Sequence, residues 1–166
     1  MKKTKNITIT IDIYKNYENM PEFSNSAKLL IGKAKESILN AYAPYSNFRV
    51  AAAVLLENNE IIVGTNQENA AYPSGLCAER VALFFANSKY PETKVLAIAI
   101  VAFTNNSFVK VPVPPCGACR QVILEAENRF NSPIEIVLAG EYDAYVIHDA
   151  KSLLPVDFNF SFLNKY

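Results

Sequence analysis

No sign of charge prevails in this chain: sixteen lysines and arginines stand against sixteen aspartates and glutamates, for a formal net charge of zero. The basic footprint of a protein that binds nucleic acid polymers is therefore missing. Long apolar runs are missing as well. Nothing approaches the roughly 20 consecutive apolar residues of a membrane span. The opening MKKTKNITITIDIY is basic but lacks the apolar stretch of a secretory signal. The expected location is cytoplasmic, so the Asn-x-Ser/Thr triplets at Asn6, Asn105 and Asn159 read as chance matches. Internal repeats and low-complexity segments are absent. Histidine occurs once, at His148, and cysteine three times, an odd number that cannot all pair within the chain. In a reducing compartment such cysteines favour a metal or catalysis over disulfides.

What is present is enough for one ordinary domain: 166 residues, 51% of them hydrophobic. Ile7, Ile9, Ile11 and Ile13 alternate with Thr8, Thr10 and Asp12, the period of a half-buried strand. Ala27, Leu30, Ile31, Ala34, Ile38 and Leu39 recur at helical spacing, predicting a helix from Ala27 to about Tyr42 that ends before Pro44. Runs over 50–56 and 60–65 around Glu57-Asn58-Asn59 read as a hairpin. The stretch Val95–Phe103 is apolar on both faces, as a central strand would be, and Asn105-Asn106-Ser107 breaks it. Helices are expected over about 77–86 and 116–128, and short strands over 134–138 and 145–148. Strands interleaved with helices predict an α/β layered domain with a mixed sheet. Residues 1–26 read as an N-terminal extension with an edge strand, and 27–166 as the domain proper.

All three cysteines fall in two short motifs, Cys77-Ala78-Glu79 and Pro115-Cys116-Gly117-Ala118-Cys119. Thiols at i and i+3 on a helix start point the same way, as chelation requires. Cys77 also lies at an expected helix start, and the positive end of a helix favours the thiolate that binds zinc. Three protein ligands leave the fourth tetrahedral position to water, the arrangement of a catalytic site. Glu79, two residues from one ligand, can handle that water's protons without binding the metal. Taken alone, C-x-x-C is also the pattern of a redox pair or half of a structural zinc site. The chain has no fourth cysteine, and His148 is either a fourth ligand or an ordinary structural or surface histidine.

At these residues the sequence resembles the zinc-dependent nucleoside and base deaminases, most closely the short-chain, three-cysteine, homotetrameric cytidine deaminases. The likeness runs from about Ala27 to Phe158. It is strongest in AYAPYSNFRVAAAV (41–54), GTNQENAAYPSGLCAERVAL (64–83) and PCGACRQVI (115–123). The resemblance implies a three-layer α/β/α sandwich around a mixed, mostly five-stranded sheet, to which the N-terminal strand would be an addition. It also implies one zinc ion per subunit on Cys77, Cys116 and Cys119, with Glu79 as proton shuttle. Asn66 and Glu68 match the pair that holds the ribose hydroxyls, and Phe48 the aromatic that packs on the pyrimidine. The Ala78 N–H matches the donor to the base carbonyl, and Arg80 an arginine that hydrogen-bonds the thiolates. Phe158, ending Leu153-Leu154-Pro155-Val156-Asp157-Phe158, matches an aromatic that reaches a neighbouring subunit's site, although Val156-Asp157 replaces the small pair usual there. Without the motif around them, Phe48 reads as core packing, Asn66 and Glu68 as turn residues, and Arg80 as a solvated helix residue.

The implied activity is hydrolytic deamination of cytidine or 2′-deoxycytidine in pyrimidine salvage, by a homotetramer with shared active sites. The implied partner is a small nucleoside, with neither a nucleic acid polymer nor a membrane. Three competing readings share the metal signature: a deaminase of blasticidin-type nucleoside antibiotics, a polynucleotide-editing deaminase, and a non-catalytic zinc-stabilised module.

Overall fold

The computed structural model describes residue 4 and residues 6–165. Met1–Lys3, Lys5 and Tyr166, which the sequence assigns to the ends of the extension and the domain, lie outside the described residues. In chain order the elements are β1 (Asp12–Tyr14), α1 (Asn25–Ser37), β2 (Arg49–Leu56), β3 (Ile61–Thr65), α2 (Ala78–Lys89), β4 (Val95–Thr104), β5 (Ser107–Phe108), α3 (Gly117–Phe130), β6 (Glu135–Ala139) and β7 (Ala144–Ile147). The strands form one sheet in the order β1-β7-β6-β4-β2-β3, with β5 paired to β4. Among the described strands only β4 and β6 pair in parallel, and α3 lies in the connection between them. Among the described residues no helix is long and apolar enough to cross a membrane.

The pleat sends alternate side chains to opposite faces, and the two faces carry different volumes. Ala51, Ala53, Ala97, Ala99 and Ala139 line one face and meet Leu30, Ile31 and Ile38 from α1 and its 3-10 extension over Ile38–Asn40. Val54, Ile98, Ile100, Ile136 and Leu138 line the other and meet Ala78, Ala82 and Ala86 of α2, beside Ile123 and Leu124 of α3. Large meets small on both sides, the way an interior reaches native density. The close seating of α2 also needs Gly64 of β3. A Cβ there would lie 2.4 Å from the Ala82 nitrogen and 2.5 Å from the Ala78 carbonyl oxygen.

The three layers and the mixed sheet match expectation, and five of the seven strands make up the expected core sheet. Three details differ. The alternating isoleucines do not make a strand over their whole length: pairing with β7 begins only at Asp12, and β7 itself has four residues, too short a template for more. Ile7, Ile9, Ile11 and Ile13 are all exposed rather than half-buried on a sheet. Leu39, expected on the buried face of the first helix, is 70% exposed, because the helix tightens to 3-10 at Ile38 and turns it outward. The expected break at Asn105-Asn106 is a hairpin turn. Both asparagines have positive φ, 51° and 60°, which suits the two-residue turn joining β4 to β5.

The latter part of the N-terminal extension packs into the core. Tyr17 and Phe23 are buried beside α1, with ring centroids 5.1 Å apart, and Lys35 Nζ donates to the Tyr17 hydroxyl at 2.9 Å.

Candidate active site

Two helices on the same face of the sheet begin side by side, and each begins with a cysteine. Cys77 is the N-cap of α2 and Cys116 the N-cap of α3, both with extended backbone. The proline-rich run 111–115 delivers the chain extended to Cys116, and the Pro115 carbonyl accepts from Arg120 Nε at 2.9 Å. Cys119 follows one turn into α3 and is buried.

Three sulfur atoms therefore converge. Cys77 Sγ lies 3.8 Å from Cys116 Sγ, which lies 3.5 Å from Cys119 Sγ, and all three are within 4.8 Å of one another. Tetrahedral ligands at about 2.3 Å from zinc stand about 3.8 Å apart. The thiols thus fit one zinc ion, with one coordination position left over. His148 belongs elsewhere: it is exposed, and its Nε2 sits 2.8 Å from Asp12 Oδ2, at the edge where β1 joins β7.

The electrostatics around the sulfurs are uneven. Burial pushes the Cys119 thiol far up, with the nearby Glu79 charge adding to the effect. The helix end alone would predict the opposite direction, and desolvation outweighs it. Burial also acts upward on Cys116, but hydrogen bonds from the Cys119 backbone N–H and from the neighbouring thiols prevail and hold it below the usual thiol range. Arg80 Nη2 approaches Cys77 Sγ at 3.6 Å, while its Nε is buried without a partner among the described residues. This cation faces a cluster that would carry three negative charges as thiolates. Glu79 is 4% exposed, and burial raises its carboxyl above the ordinary range, against weaker hydrogen bonds that include Cys119. A buried carboxyl of this kind takes up a proton more readily than an exposed one, which suits a group that must both accept and give protons. Ala78, the first residue of α2, is fully buried, and its N–H has no partner within the helix by position.

Above the cysteines opens a cleft of about 570 Å³ lined by Tyr45, Ser46, Asn66, Gln67, Glu68, Asn69, Tyr72, Gly75, Leu76, Cys77 and Arg80. Asn66, just past β3, holds the start of β2: its Oδ1 accepts from the Val50 N–H at 2.8 Å and its Nδ2 donates to the Phe48 carbonyl at 3.0 Å. Glu68 accepts from the backbone N–H groups of Tyr45 and Ser46 at 2.9 and 3.3 Å and from the Ser46 hydroxyl. The Ser46 hydroxyl and then the Tyr45 N–H hold its carboxyl below the usual glutamate range.

Of the residues singled out from sequence, Cys77, Cys116, Cys119, Glu79, Ala78 and Arg80 come together at the helix starts, and Asn66 and Glu68 line the cleft. Two stand apart from it. Phe48 is half-buried and does not line the cleft. Phe158 is 60% exposed on the C-terminal segment, stacked on Phe162 at 5.9 Å, and its carbonyl accepts from Gln121 of α3. Sequence reasoning missed Tyr45 and Tyr72, whose rings meet edge-on at 6.0 Å in the cleft wall, and it missed Ser46. The signal lay in the quoted stretches: both tyrosines precede or follow a turn-forming proline, and their exposure is visible only in the fold.

Comparison with known proteins agrees with this geometry. Residues 24–131 match the family described as the cytidine and deoxycytidylate deaminase zinc-binding region. A cytidine deaminase of Halalkalibacterium halodurans is 50% identical over 98 residues, covering 59% of this chain and 70% of its own. A Mycobacterium tuberculosis cytidine deaminase is 38% identical over 126 residues, covering 73% of this chain and 90% of its own. The crystal structure of cytidine deaminase from Burkholderia pseudomallei superposes with a TM-score of 0.68 at 40% identity, over 79% of this chain and 98% of that one.

Proposed function

The chain belongs to the zinc-binding cytidine and deoxycytidylate deaminase family, and from that premise we propose that it converts cytidine and 2′-deoxycytidine to their uracil nucleosides. Water is consumed and ammonia released. The observation that carries the reading is the convergence of three thiols at zinc-ligand spacing beside the buried carboxyl of Glu79.

Cys77, Cys116 and Cys119 would hold the ion. When bound, zinc supplies the acidity that makes water nucleophilic near neutral pH. Glu79 takes a proton from the attacking water and gives it to ring N3, which makes C4 electrophilic. Oxygen of the water bonds to C4; Glu79 then takes the proton of that new hydroxyl and delivers it to the departing amine, so the C4–N bond breaks, ammonia leaves and the C4 carbonyl remains. The raised affinity of its carboxyl for protons suits this double duty. The Ala78 N–H donates to the base carbonyl and orients the ring. Arg80 offsets the negative charge of the thiolates. Asn66 and Glu68 recognise the sugar hydroxyls from the cleft wall.

The pocket is completed by neighbours in a homotetramer, with Phe158 reaching an adjacent site. Exposed apolar side chains support this: Phe84 and Phe85 on α2, and Val156, Phe158, Phe160 and Leu163 at the C-terminus. The place of action is the cytoplasm, in salvage of pyrimidine nucleosides.

A spectrophotometric cytidine assay with zinc content measured alongside tests the reading. Conversion of cytidine with one zinc per chain supports it. Turnover of blasticidin-type antibiotics alone, or zinc without any turnover, refutes it. Activity per chain that falls on dilution, together with dissociation in sedimentation, tests the shared sites.

A further inference from the structure

We propose that Ser46 is a positioning residue that presets Glu68 on the sugar side of the cleft, from a turn braced against the Phe48 backbone; the proposal rests on the deaminase reading above. The Ser46 hydroxyl is used in both directions. Its oxygen accepts from the Phe48 N–H at 3.0 Å, so its hydrogen is free to go to Glu68 Oε1, the short contact seen there. Glu68 Oε2 is held by the Tyr45 and Ser46 N–H groups. The carboxylate is thus fixed by three donors from one turn, oriented toward the cleft it lines.

The same turn fixes Phe48 from its other end. The Phe48 carbonyl accepts from Asn66 Nδ2, and Asn66 Oδ1 accepts from the Val50 N–H. Asn47 adopts positive φ, 54°, and so lets the chain double back between Ser46 and Phe48. Asn66 and Glu68 therefore grip the 45–50 segment before any ligand arrives, and the Ser46 side chain touches both Glu68 and the Phe48 backbone. Removing its hydroxyl frees one carboxylate oxygen and orphans one N–H. Glu68 then pays the ordering cost when it binds the sugar, which is a loss of preorganisation.

A merely structural hydroxyl would affect stability, zinc content or turnover. A positioning hydroxyl acts on recognition of the sugar. The test compares the wild type with Ser46→Ala, Ser46→Cys and Ser46→Thr on cytidine, and on 2′,3′-dideoxycytidine as a probe lacking the 2′ and 3′ hydroxyls, read as KM or as Ki against cytidine. Ser46→Ala should raise KM for cytidine about fivefold, one charge-assisted hydrogen bond discounted for its exposure, while kcat stays within about twofold. Ser46→Cys, with a weaker donor in a similar volume, should fall between, and Ser46→Thr should restore the wild-type value. On the dideoxy probe the variants should match the wild type. An equal loss on both nucleosides, a change confined to kcat or zinc content, or an unchanged KM for cytidine would overturn the proposal. A wild-type protein inert toward cytidine would overturn the functional reading itself, and this inference with it.

Discussion

Gly64→Ala is a one-methyl change outside the cleft that should reach the zinc site. The added Cβ would lie 2.4 Å from the backbone nitrogen of Ala82 and 2.5 Å from the carbonyl oxygen of Ala78. Both are about 1 Å short of ordinary contact, and both partners are helix backbone, which cannot rotate away. The N-terminal half of α2 must therefore lift from β3 by something near that distance, carrying Cys77 and Glu79 with it. Cys116 and Cys119 sit on α3 and stay behind. Overpacking of this kind costs about 1–3 kcal/mol, or roughly 3–10 °C of Tm for a chain of this size. Misplacing reacting groups by about 1 Å costs on the order of a hundredfold in rate. Thermal denaturation, competition for zinc against a chromophoric chelator, and cytidine turnover should all shift together. Gly32→Ala is the control: it lies within α1, and nothing stands within 4 Å of its added Cβ, so it should stabilise by about 0.5–1 kcal/mol through helix propensity alone. A Gly64→Ala protein with wild-type Tm and zinc affinity would show that α2 is not pinned by this contact, and the reasoning would fail.

Two further predictions concern carboxylates. Glu79→Gln should keep the zinc and lose at least about a thousandfold in kcat, because the proposed mechanism gives this one side chain several proton transfers; near-normal turnover with full zinc would remove it from the mechanism. Glu68 is held below the ordinary glutamate value of 4.5. Its contribution to stability is therefore fully present above the unfolded value and lost as pH falls through the lower folded one. The Tm difference between the wild type and Glu68→Gln should be larger at neutral pH than in acid, and a difference that grows on acidification would reverse the sign.

How far the sequence could be read depended on whether the deciding information was local. The metal site was legible because its ligands cluster at two helix starts, where spacing alone aims Cys116 and Cys119 together and the second motif repeats the cue. The central strand was legible because Val95–Phe103 is apolar at every step. The N-terminal isoleucines misled for the opposite reason. Alternation specifies a strand's two faces but not its partner, and β7 offers only four residues for pairing. The β4–β5 hairpin was hidden because a turn with two left-handed asparagines looks in sequence like any polar break. The roles of Asn66 and Glu68 as grips on the 45–50 turn, contacts across 16 to 23 positions, follow from the fold alone.

The helix starts bear on the balance between folding and metal binding. α1 begins at Ser24, whose hydroxyl accepts from the Ala27 N–H at 3.1 Å, the usual way to satisfy a helix's first donors. α2 begins instead at Cys77, whose side chain makes no such bond. It forgoes about 1 kcal/mol that serine, threonine or aspartate would supply, at a place where a ligand is wanted. Cys77→Ser should therefore change stability with opposite signs in two states. In protein stripped of zinc by a chelator the new hydroxyl caps α2, and Tm should rise by about 2–4 °C. In zinc-loaded protein one ligand is weakened, so Tm should fall by more than that gain and zinc content should drop. Paired melting curves with and without chelator decide it. A variant less stable than the wild type in both states would mean that Cys77 already serves α2 without metal, and the start of α2 would then not be tuned for zinc at the expense of the fold.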